Sequence, residues 1–162
     1  MAVLEWLTNT PYADWVRESW GWPLALTIHA FGTATVVGFI MIIGLRLFGL
    51  FKTIPFTALN SLFPFIWIAI VLQALSGFTL WMTKPAQYLG AGMFLAKISF
   101  VIVGIVVTAY FQATIRREAP AWEKTGTVSS RGLKFVTAAV LLWMAVNIAG
   151  RLTAYLTTLY VA

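Results

Sequence analysis

Four stretches of this chain, roughly 23–45, 62–82, 91–112 and 134–160, are each long and apolar enough to cross a bilayer, which takes about 20 mostly apolar residues as a helix. That property removes most architectures. Backbone groups in hydrocarbon must be satisfied within a helix or a closed barrel, and none of the four runs shows the alternation of a barrel strand. The composition agrees. Of 162 residues 60% are hydrophobic and only 10% charged, and the mean hydropathy of +0.87 lies outside the range of soluble domains. The expected fold is all-α, an integral membrane four-helix bundle forming a single domain over residues 1–162.

The first 20 residues precede the first run. The stretch "MAVLEWLTNTPYADWVRESWGW" lacks a basic n-region and carries Glu5, Asp14 and Glu18, so it reads as retained rather than as a signal peptide. Its tryptophans, mixed with acids and with Pro11 after the capping-type Thr10, predict an amphipathic segment of one or two short helices in the headgroup layer. The stretches "FKTIPFTALNS" and "TKPAQYLGAG" read as loops.

Four spans put both termini on one side, so the cations can be compared by side. Arg46 and Lys52 flank the first loop, and Arg116, Arg117, Lys124, Arg131 and Lys134 fall in the third. By the positive-inside rule both termini face outward, which in a bacterial inner membrane means the periplasm. The net charge of +6 and pI near 10.0 then reflect loops facing anionic lipid rather than a nucleic-acid surface.

Several polar residues remain at membrane depth. His29 is the only histidine; Lys97 lies several residues into the third run and Arg151 well before the end of the fourth. Counted from the side of the termini at about 1.5 Å per residue, all three fall in one layer. Every acid, Glu5, Asp14, Glu18, Glu118 and Glu123, lies outside the runs, so the chain supplies no buried carboxylate to Lys97 and Arg151. Three sources for the missing anion are open: lipid headgroups reached by snorkelling, a partner chain, or a ligand bearing carboxylates. A haem fits the third, with neutral His29 on iron and propionates on Lys97 and Arg151.

Gly32 and Thr33 share the face of His29, and Gly32 leaves room for a flat macrocycle. On the fourth run Met144, Asn147, Arg151 and Tyr155 form a polar-aromatic stripe, while Gln73 and Ser76 offer hydrogen bonds at depth on the second. With one histidine, the sixth iron position is vacant, or filled by Met82, Met93 or Met144, or by another subunit. Each feature also has an ordinary structural reading as a hydrogen bond, a packing contact or a snorkelling anchor.

Three segments, "LTIHAFGTATVVGFIMIIGLRLFGL", "SGFTLWMTKPAQYLGAGMFLAKISFVIVG" and "LLWMAVNIAGRLTAY", resemble an uncharacterised family of short four-helix bacterial inner-membrane proteins over nearly the whole chain. The first and third are also similar, more distantly, to the HemJ-type protoporphyrinogen oxidase, a haem-binding membrane protein. That resemblance implies cofactor-binding roles for His29, Arg46 and Lys97. The chain departs from that type in having no second histidine and in reading "SSRGLKF" before its last run, so a haem pocket carries over and the oxidation of porphyrinogen does not.

Without cysteine the chain has no disulfide, no covalent haem attachment and no iron–sulfur ligation of its own. No catalytic triad, carboxylate pair or phosphate loop is present. The functional expectation is a membrane b-type haem-binding electron-transfer protein or subunit, with quinone as a further redox partner. Its candidate ligand-binding residues are His29, Gly32, Arg46, Lys97, Asn147 and Arg151, with His29, Met82 and Met93 at iron. The alternative is a cofactor-free accessory subunit of a larger membrane complex or homo-oligomer, binding lipid or partner carboxylates through its cationic layer.

Overall fold

The computed structural model describes residues 2–159; residue 1 of the expected interfacial segment and residue 160 of the expected fourth span lie outside it. The chain runs through α1 (Ala2–Thr8), α2 (Pro11–Glu18), α3 (Gly21–Leu47), a 3-10 helix (Thr57–Leu62), α4 (Phe63–Met82), α5 (Pro85–Leu89), α6 (Gly92–Thr125) and α7 (Ser130–Leu159). No strand occurs among the described residues. Four helical stretches, α3, Thr57–Met82, α6 and the Ser130–Thr153 part of α7, are long and apolar enough to cross a membrane.

Helix α4 packs on α3, α3 on α7 and α7 on α6. The seams come from residues three or four apart, which share one side of a helix: Val36, Ile40 and Ile43 on α3, and Val136, Ala139, Trp143 and Val146 on α7. Helices α4 and α6 meet near one end, where the Phe63 and Phe111 rings stand edge to face at 5.8 Å and Trp67 Nε1 donates to Gln112 Oε1 at 2.8 Å. Toward the end that carries both termini a cavity separates them. Outward-facing side chains are apolar at mid-helix, with Phe31 71%, Leu75 62%, Ile102 58% and Leu141 63% exposed. An apolar surface of that extent is a lipid-facing one, and the chain is a multi-pass membrane protein.

The amino-terminal segment divides into α1 and α2. Thr10 caps α2 by accepting from the Ala13 amide at 3.2 Å, with Pro11 in the first turn, as the dipeptide predicts. Helix α2 buries Ala13 and Val16 and is tied to α4 twice. Tyr12 and Thr79 share a hydroxyl hydrogen bond of 3.1 Å, and Arg17 Nη1 donates to the Thr83 carbonyl at 3.3 Å, one of the unsatisfied groups at the end of α4. Trp6 and Trp20 remain exposed, as suits a headgroup layer.

The third helix departs from the sequence expectation. Residues 113–125, expected as loop, continue α6 to a length of about 51 Å, well beyond a hydrocarbon core of about 30 Å. Tertiary contacts hold the extension. Ala119 and Trp122 are buried, Trp122 stands edge-on to Phe56 at 6.0 Å, and the Glu123 carboxylate accepts from the Phe56 amide at 2.6 Å and the Thr57 amide at 3.4 Å. Gly126, at φ +67, ends the helix in the left-handed conformation. The two expected loops likewise contain the 3-10 helix and α5. Glu123→Ala, which strips both amides of their acceptor, is expected to cost about 1–3 kcal/mol, measured as a lowered unfolding midpoint in detergent.

Candidate functional site: a cleft between α4 and α6

His29 lies about 12 Å along α3, where its ring meets α4. Nδ1 is 3.1 Å from the Gln73 carbonyl oxygen and 3.1 Å from Ser76 Oγ. A carbonyl only accepts, and the Ser76 hydroxyl is itself directed at the Leu72 carbonyl at 2.7 Å. Nδ1 therefore carries the proton and Nε2 the lone pair. Lys97 of α6 places Nζ 3.5 Å from Nε2, at the long limit of a hydrogen bond. Because the chain has one histidine, its imidazole ¹⁵N spectrum is unambiguous. At neutral ring charge it is expected to show a protonated Nδ1 and a bare Nε2; the opposite tautomer would contradict this geometry.

Glycines make this approach possible. A Cβ on Gly77 would stand 3.1 Å from His29 Cε1, and one on Gly150 would stand 3.4 Å from Lys97 Cε. Both side chains cross a neighbouring helix at a residue without a side chain. Gln73 completes the group, donating from Nε2 to Thr33 Oγ1 at 2.5 Å, while Thr33 donates to the His29 carbonyl at 2.9 Å.

His29 and Lys97 line a cavity of about 410 Å³ between α4 and α6, within the size range of small-molecule sites. Gln73 is the other polar side chain on its wall; the remainder is apolar and rich in aromatic rings, notably Phe78, Trp81, Phe94 and Trp143. Phe78, Leu95 and Ile98 are 54%, 49% and 40% exposed and belong to membrane-crossing helices. The cleft thus opens sideways, toward the lipid. Such a site admits a flat, largely apolar molecule with a hydrogen-bonding group at the depth of His29 and Lys97.

Of the residues singled out by sequence, the structure brings together His29, Lys97, Thr33, Gln73 and Ser76. It does not bring the others to them. Gly32 faces the backbone of α4, where a Cβ would stand 3.1 Å from the Ala69 carbonyl oxygen; its role is close helix packing rather than room for a macrocycle. Arg46 lies about 25 Å further along α3, at the opposite end, donating to the Ile54 carbonyl. Met82 and Met93 are absent from the cleft wall, as are Asn147 and Arg151. The stripe on α7 turns outward, Arg151 being exposed and Met144 and Tyr155 40% and 59% exposed, because Val136, Ala139, Trp143 and Val146 claim the inward face.

Gly77, Gly150 and Trp143 were not legible as site residues. The available signal was a glycine on each of two helices at the depth of a lone charge. Among the described residues no group of three or more His, Cys, Asp or Glu could hold a metal ion.

The fold and cleft define a class, a multi-pass helical membrane protein with a laterally open apolar site. Comparison with protein-family models, curated proteins and solved structures finds no match to this chain.

Proposed function

We propose that the chain takes a lipid-soluble ring compound with oxygen substituents, a quinone or its hydroquinone, from the bilayer into the cleft, and serves as an electron-transfer subunit of a larger bacterial inner-membrane assembly. The observation that carries this reading is the Lys97–His29 pair, 3.5 Å apart, on the wall of an otherwise apolar cleft between two membrane-crossing helices. The Lys97 ammonium donates to a carbonyl oxygen, and the bare Nε2 of His29 accepts from a hydroxyl, so the same pair serves both oxidation states. Phe78, Trp81 and Phe94 supply faces for a flat ring. The concentration of Arg and Lys at the other end of the bundle supports an orientation with both termini in the periplasm.

A b-type haem on His29 is the second reading, favoured by one observation: Nδ1 is anchored by a backbone carbonyl, the usual arrangement behind a ligating Nε2. Two features weigh against it. Lys97 Nζ stands 3.5 Å from Nε2, a cation beside the lone pair that would ligate iron, and none of Met82, Met93, Arg46, Asn147 and Arg151 lines the cleft to supply a sixth ligand or hold a propionate.

Purified protein in lipid nanodiscs, titrated with a short-chain benzoquinone, is expected to bind saturably, and its visible spectrum, oxidised and dithionite-reduced, to lack a Soret band. A Soret band lost in His29→Ala would instead establish the haem reading. Binding of neither leaves the cofactor-free accessory subunit.

A further inference from the structure

A second polar site lies at the opposite end of the bundle, and its chemistry is independent of the cleft. Arg46 closes α3 and is only 7% exposed. Its Nε donates to the Ile54 carbonyl at 2.5 Å, and its guanidinium carbon stands 3.8 Å from the centre of the Phe56 ring. These contacts hold the plane of the guanidinium and leave its two Nη groups without a hydrogen bond to another described residue. Among the described residues no carboxylate comes within ion-pair distance of it. Neither Nη is enclosed, so both are open to an anion from outside the chain.

The guanidinium borders a cavity of about 400 Å³ shared with Gly49, Lys52, Phe56, Glu123 and Gly126. Lys52 is exposed and adds a second cation on the rim. Glu123 is the one acid on the wall, and its carboxylate is already turned to the Phe56 and Thr57 amides. The end as a whole is basic, carrying Arg116, Arg117, Lys124, Arg131 and Lys134 as well.

We propose that Arg46 and Lys52 form a binding site for a phosphate group, with Arg46 as the oriented fork and Lys52 as a mobile second charge. A planar guanidinium held by its Nε and by an aromatic face presents its Nη groups as a pair, which matches two oxygens of a phosphate. The same chemistry is offered by the headgroup of an anionic phospholipid and by free phosphate.

Protein reconstituted with phosphatidylglycerol, or equilibrated with inorganic phosphate, separates these sources. Native mass spectrometry is expected to show retained phosphatidylglycerol, with affinity lowered about tenfold by Arg46→Gln and about fivefold by Lys52→Gln. Lys124→Gln, exposed on the same end but outside the cavity, is expected to leave it unchanged. Retention of phosphate but not lipid, with the same order of variants, assigns the site to the free anion. The proposal is overturned if neither probe is retained, or if Lys124→Gln weakens binding as much as Lys52→Gln, which marks diffuse attraction to a basic surface. Lys52 supports no part of the core, so its variant decides the matter even where Arg46→Gln disturbs the contact to Ile54.

Discussion

Lys97→Met is expected to weaken binding of a short-chain benzoquinone by about ten- to a hundredfold while leaving the bundle folded. Methionine keeps an unbranched apolar stem over Gly150, where a Cβ would touch Lys97 Cε at 3.4 Å, and removes only the ammonium. A hydrogen bond from a charged donor is worth roughly 1.5–3 kcal/mol, and about 1.4 kcal/mol is a factor of ten in affinity. His29→Ala removes the other half of the pair and should lower affinity for the hydroquinone more than for the quinone, because the bare Nε2 accepts a hydroxyl proton that only the hydroquinone offers. Titrations of both redox forms against wild type and the two variants check this. Equal affinity across all three proteins would remove the pair from the site.

Trp143→Ala is expected to be the most destabilising single change in the bundle, at about 3–5 kcal/mol. Trp143 is 2% exposed, and its indole Nε1 donates to Thr108 Oγ1 at 3.0 Å while its ring lies against Gly104 of α6, 3.5 Å from where a Cβ would stand. Truncation removes the main contact of α7 with α6 at this depth and breaks that hydrogen bond. Since Trp143 also forms part of the cleft wall, the cavity enlarges as stability falls. Trp143→Phe keeps most of the ring and loses only the hydrogen bond, for about 1 kcal/mol. Unfolding of the purified protein in mixed micelles measures both; a smaller loss for alanine than for phenylalanine would contradict the packing role.

The helices were legible from hydropathy because a bilayer leaves a chain so few solutions. Any run of about 20 apolar residues there must satisfy its own backbone, and a helix does so locally. The capping of α2 was legible for a similar reason, since Thr10 and Pro11 act within one turn. The extension of α6 was not. Nothing in "ATIRREAPAWEKT" marks it as helical against the charge cluster and Pro120. Its partners, Phe56 and the amides that Glu123 receives, lie more than sixty residues away in sequence.

The candidate site divides in the same way. That His29 and Lys97 share a depth is readable along the chain, because rise per residue converts position into height and the apolar runs supply the origin. Equally readable is that no acid is available at that depth. Which residues at that depth meet depends on how the folded bundle rotates each helix about its own axis. Trp143 and its neighbours turn one side of α7 inward and carry Arg151 outward, while Gly32, packed on the backbone of α4, brings His29 against Gln73 and Ser76. Depth follows from the chain's interaction with lipid, which is a property of each segment alone. Facing follows from packing between segments, where a glycine opposite a bulky side chain sets the angle, and no single segment carries that information.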